Sequence, residues 1–114
     1  MEISDAQSMV KEFAKRNKWE DVPNIDKFDH IHEELIEMSQ HLRYKSKKEM
    51  KSAVSKNRGI FEDGVGDLLF SVLRLANQLG IDAEIAFINS STKITKKYSK
   101  SGKEYNQMFI RERI

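Results

Sequence analysis

The chain has 114 residues, of which 39% are hydrophobic and 33% charged, with a net charge of +2 and a mean hydropathy of −0.65. That is enough for one domain, residues 1–114, with a small core, and it favours helices that bury one stripe each and share the remaining apolar surface with further copies. The lack of cysteine excludes disulfides, thiol catalysis and thiolate zinc sites and agrees with a reducing cytoplasm, while the start MEISDAQSMVKEF has no apolar run of signal-peptide or membrane-span length.

Taken in chain order, Ser4 and Gln7 have the spacing of a capping box, and Val10, Phe13 and Ala14 recur at helical intervals, which predicts a first helix to about Lys18. Pro23 disfavours helix at the residue before it, so WEDVPN reads as a break. Asn24 is the expected N-cap of a second helix, with Asp26 and Asp29 in its favourable first turns. Phe28, Ile31, Leu35, Met38 and Leu42 then lay an apolar seam along a helix expected to end near Tyr44. Ser46 and Glu49 make another capping box, opening a short basic helix that Asn57, Arg58 and Gly59 close. From Ile60 to Leu79 apolar residues occupy nearly every side, which belongs in the middle of a bundle or at an oligomer interface. Gly80 suits the end of that helix, and Asp82 caps a last one from Ala83 to about Ser99. The segment 100–114 reads as an irregular or strand-like tail or arm. The expectation is an all-α bundle of four to five helices completed by oligomerisation.

Charge is unevenly spread. DKFDHIHEELIEM, Asp26 to Met38, holds five acids against one Lys, whereas Arg43 to Arg58 holds seven basic residues and one acid, and Lys93 to Lys103 five lysines and none. Most acidic pairs have local explanations. Glu34 and Glu37 do not, because they share a helix face, repel one another and sit beyond the reach of the helix N-terminus. Asp63 and Asp67 make a similar pair at the start of the apolar helix. Carboxylates on two packing helices call for a cation between them, and magnesium, which takes one or two carboxylates together with substrate phosphates, fits that need; manganese is the alternative ion.

HEELIEM, then after a basic connection FEDGVGDLLFSVLRLANQLGIDAEIAF and TKITKKY, resembles the MazG-like all-α nucleoside triphosphate pyrophosphohydrolases over most of the chain, from about Phe13 to Tyr98. The resemblance implies a homodimer or homotetramer that uses magnesium to hydrolyse a nucleoside triphosphate between its α and β phosphorus atoms, clearing surplus or non-canonical nucleotides. By the family's E-E-x-x-E and E-x-x-D patterns, Glu34 and Glu37, led by Glu33, would bind the metal and act in catalysis, with Asp67 as a further ligand. Gly64 stands where the family has its second-helix Glu, and Asp63, one residue earlier, is the substitute ligand. The K-x-x-x-[RK]-[FY] pattern assigns the phosphates to Lys93, Lys97 and the adjacent Lys96.

Phe13 to Trp19, followed by Pro23 and Asn24, is similar to the dCTP pyrophosphatase branch, which implies Trp19 and Tyr44 as base-binding residues; Val10 replaces that branch's His. His30 and His32 face apart on a helix and do not share an ion, while His41, one turn beyond Glu37, could border the pocket. GVG lacks the Lys-Ser/Thr of a phosphate loop. The competing expectation is a catalytically weak or inactive helical module that binds nucleotide or nucleic acid through its basic runs, although no recognition-helix pattern favours nucleic acid, and no membrane partner is expected.

Overall fold

The computed structural model describes residues 1–98, which form five helices: α1 Ile3–Arg16, α2 Ile25–Ser39, α3 Lys47–Lys56, α4 Arg58–Leu79 and α5 Ala83–Lys97. The all-α expectation holds for these residues, and the expected arm over 100–114 lies outside them. Polar side chains satisfy the helix starts largely as read. The Asn24 carboxamide accepts from the Asp26 N–H at 2.9 Å, and the Asp82 carboxylate accepts from the Ile85 N–H at 3.0 Å. At α3, Ser46 Oγ accepts from the Glu49 N–H at 3.2 Å while the Glu49 carboxylate accepts from the Ser46 N–H at 2.9 Å. Those bonds hold the exposed Glu49 carboxyl below its usual pKa.

The first helix departs from its expected cap. It starts two residues earlier, capped at Glu2, with the Asp5 carboxylate accepting from the Glu2 N–H at 2.9 Å. Ser4 and Gln7 serve the tertiary fold instead. Gln7 Oε1 accepts from the Ala83 N–H at 2.8 Å, and its Nε2 donates to Asn77 Oδ1 at 3.0 Å and to the Ile81 carbonyl at 2.7 Å. The Ser4 N–H donates to Glu84 at 3.2 Å, so the α4–α5 corner is bonded to the start of α1.

The end of α1 sets the path of the connection to α2. Lys18 adopts a left-handed φ of 57°, the Trp19 N–H returns to the Ala14 carbonyl at 2.9 Å, and the Lys18 N–H to Lys15 at 3.2 Å. This pair of bonds is a Schellman closure, and its customary apolar contact is present as the Phe13 and Trp19 rings, 5.3 Å apart and edge to face. Gly80 closes α4 by the same device at φ 67°, without cost because it has no Cβ. Lys18→Gly should therefore stabilise the fold by about 0.5–1 kcal/mol, read as a higher urea midpoint at unchanged slope.

Packing runs α5, α1, α4, α2 as successive neighbours, with α3 also against α4. α4 is antiparallel to both long neighbours: Gln7 meets Asn77 and Phe13 meets Phe70, 5.9 Å between rings, along α1, while Met38 of α2 abuts Gly64 near the start of α4. The expectation that α4 sits in the middle is met. Its contact with α2 corrects the expected seam. The partly buried stripe of α2 is Lys27, Ile31, Glu34 and Met38, and it faces the α4 stripe of Gly64, Ser71, Arg74 and Gln78; Phe28 and Leu35 are exposed. Among the described residues, only one edge of the broad apolar face of α2 finds a partner. The helix also stops at Ser39, and hydrogen-bonded turns carry the chain to Tyr44.

Candidate functional site

Antiparallel packing of α2 on α4 decides which expected site residues can meet. Gly64 is buried, and a Cβ placed on it would collide with Met38 Sδ and stand 2.8 Å from Met38 Cγ. This close approach seats the Met38 side chain against the α4 backbone. On α4, residues 64, 67, 71, 74 and 78 follow one another at helical 3-4 spacing, which puts Asp67 in line with the α2-facing stripe. On α2, Glu34 is one turn before Met38 on the packed face, its side chain only 19% exposed. Glu34 alone of the four expected carboxylates is partly buried; Asp67, although in line with the α4 stripe, is exposed, as are Glu37 and Asp63. Among the described residues no three His, Cys, Asp or Glu side chains gather into a group able to hold a metal ion. The four expected carboxylates thus do not close into one cluster within a single chain. Glu34 and Asp67 are the two that lie along packed stripes, and one or two carboxylates are what magnesium takes when substrate phosphates and water complete its shell.

The remaining expected residues are dispersed. Lys93, Lys96 and Lys97 lie on α5, which packs on α1 and, among the described residues, not along α2. The Lys97 ammonium stands 5.6 Å from the Tyr98 ring. Tyr44 is fully exposed at a left-handed φ of 62° and does not line the Trp19 cleft. Of the histidines, His30 pairs with Glu34 at 3.4 Å, one turn away, and His41 packs edge to face on Phe61 at 5.9 Å.

Trp19 lines a cleft of about 380 Å³ with Asn24, Asp26, Lys27, His30, Arg74 and Gln78. Arg74 is its centre. The guanidinium carbon lies 4.7 Å over the Trp19 ring, Nη2 donates to the Glu20 carbonyl at 3.2 Å, and Nη1 is 3.5 Å from Asp21 Oδ1. These contacts tie the α1–α2 connection to α4 and cover one region of the Trp19 ring with a cation. Burial, and then the neighbouring Arg74 charge, lower the Lys27 pKa from its usual 10.5. A lysine depressed in the fold opposes stability while protonated, so this opposition eases as pH rises through the lowered pKa towards 10.5.

Sequence reasoning missed Arg74 and Gln78. The available signal was a cation and an amide interrupting an otherwise apolar helix, where a buried charge needs partners. Compared with protein-family models, curated proteins and solved structures, the chain matches none. No described helix is long and apolar enough to cross a membrane.

Proposed function

We propose that the chain is a magnesium-dependent nucleoside triphosphate pyrophosphohydrolase that works as a homo-oligomer, a dimer or tetramer, in the cytoplasm. What supports this reading is that Glu34, partly buried on α2, and Asp67, exposed in line with the α4 stripe, lie on packed helices that meet at Met38 and Gly64. Two like charges on facing stripes are unfavourable unless a cation joins them. When bound, magnesium supplies neutralisation of phosphate oxygens and a water of lowered pKa.

Each residue then has a separate task. Glu34 and Asp67 would hold the ion, with Asp63 at the edge of the same helix start. Glu37, exposed one turn before His41, is the carboxylate left to take a proton from the attacking water. Attack at the α phosphorus and rupture of its bond to the bridging oxygen yield a monophosphate and pyrophosphate. Lys93, Lys96 and Lys97 would bind phosphates presented by a second copy, since α5 does not pack along α2 in its own chain.

Exposed apolar side chains support the assembly. Phe28 and Leu35 on α2, Val65, Leu69 and Val72 on α4, and Ile85, Phe87 and Ile88 on α5 all remain open. A groove of about 320 Å³ between α1 and α4, with Met9, Phe13, Leu69 and Phe70 among its walls, continues that surface. A second copy is the reading that covers so much apolar area on a small chain. Purified protein with magnesium should release pyrophosphate from at least one member of a panel of ribo- and deoxyribonucleoside triphosphates and sediment as a dimer or larger. A folded protein that hydrolyses none of them refutes the enzyme and leaves the binding-module reading.

A further inference from the structure

Tyr44 is strained, and no packing among the described residues offsets the strain. Its φ of 62° is the left-handed value at the end of the turns after α2, where glycine or asparagine is ordinarily found and a bulky aromatic is an outlier. The ring is fully exposed. Lys18, the other described non-glycine residue at positive φ, differs because the contact of the Phe13 and Trp19 rings closes its turn. A strained residue whose side chain the fold does not use points to a contact outside the chain.

The residues around Tyr44 indicate the chemistry of that contact. Arg43 and Lys45 flank the ring, and Lys47, Lys48 and Lys51 follow at exposed positions of α3, whose covered positions are Met50, Ala53, Val54 and Asn57. No ion pair joins any of these five cations to a carboxylate among the described residues. The one acid of the run, Glu49, is bonded back to the Ser46 N–H. Lys47 and Lys51 are one helical turn apart, a spacing close to that of successive phosphates along an extended strand. An exposed planar ring set in a row of uncompensated cations is what a single polynucleotide strand requires, with phosphates along the cations and a base stacked on the ring.

We infer that Tyr44 and the outer face of α3 form a docking surface for single-stranded RNA, apart from the Trp19 cleft and beyond the hydrolytic reading above. A duplex fits less well because its paired bases offer no free face for stacking. DNA is the weaker choice because RNA is the polynucleotide that cells present largely unpaired. The surface uses neither the carboxylates nor magnesium, so it stands or falls independently of turnover.

The test is the fluorescence anisotropy of an end-labelled oligouridine of about 12 nucleotides, titrated with the full chain in EDTA. The strand should bind at least about tenfold more tightly than duplex RNA of the same length, with affinity falling as salt rises. Tyr44→Gly should weaken binding by about fivefold or more while raising the urea midpoint of the free protein, because it removes the stacking face and the strain together. Tyr44→Phe, which keeps the ring, should leave affinity within about twofold. Replacing Lys47, Lys48 and Lys51 together with Gln should flatten the logarithmic salt dependence by about two, as three phosphate contacts on a single strand predict. No binding, equal binding of strand and duplex, tighter binding of oligothymidine DNA than of oligouridine, binding to anionic phospholipid vesicles in place of RNA, or full affinity in Tyr44→Gly overturns the inference. A sedimentation coefficient lowered by Tyr44→Gly assigns the ring to a contact between copies and overturns it as well.

Discussion

Glu34→Gln should lower pyrophosphate release by about 100-fold or more while leaving the fold as stable as before or slightly more so. Both halves follow from where the side chain lies. Glu34 is on the packed stripe of α2, with the exposed Asp67 in line with the α4 stripe it faces, and its one ion-pair partner among the described residues is His30, 3.4 Å away within the same helix. Such an i, i+4 pair contributes only about 0.3–0.5 kcal/mol, and removing one of two opposed carboxylates relieves repulsion of similar size. An amide keeps the shape and loses the charge that a divalent cation requires. The same change at exposed Glu12 of α1 should alter neither property. Activity falling while the urea midpoint holds or rises marks a residue kept for function at some expense to stability. A large loss of stability with proportionate loss of activity would instead make Glu34 a structural group, and undiminished turnover would remove it from the site.

The fold was legible because local signals and the hydrophobic period agreed. Asn24, Ser46, Gly80 and Asp82 each mark a helix end by a bond that depends on one nearby residue. Ser4 and Gln7 misled because the same side chains that can cap a helix also bond well across a corner, and the Asn77 and Ala83 partners lie seventy residues or more along the chain. No Gly or Asn announced the Schellman closure at Lys18, since the aromatic contact of Phe13 with Trp19 accompanies it where the usual left-handed residue is missing. The candidate site divides likewise. Periodicity places Glu34 and Asp67 on helices that pack, but which edge of a broad apolar face meets its neighbour is a tertiary choice, and it left Phe28 and Leu35 outside. The Trp19 cleft depends on Arg74 reaching Glu20 and Trp19 across more than fifty residues, which no spacing rule shows.

Gly64→Glu, which restores the acid that the resemblance leads one to expect there, should destabilise the protein by about 3 kcal/mol or more rather than improve its site. The reason is steric before it is electrostatic. A Cβ alone at this position would meet Met38 Sδ and approach Met38 Cγ to 2.8 Å, and Gly64 is buried where α2 crosses α4. Admitting a glutamate would displace Met38 and bury a carboxylate at the α2–α4 contact. Methionine is flexible, and the colliding atoms are the outer part of its side chain, so the conflict is local to this pair. Met38→Ala by itself should cost about 2–4 kcal/mol at this partly buried contact. Combined with Gly64→Ala, it should cost less than the sum of the two single changes, with a coupling of about 1–2 kcal/mol. Denaturant unfolding of the four proteins measures that coupling. Additive single effects would mean that Met38 moves aside freely and that this crossing does not hold the two helices in register; a coupled pair would mean that the absence of a side chain at Gly64 is what lets Met38 seat against α4.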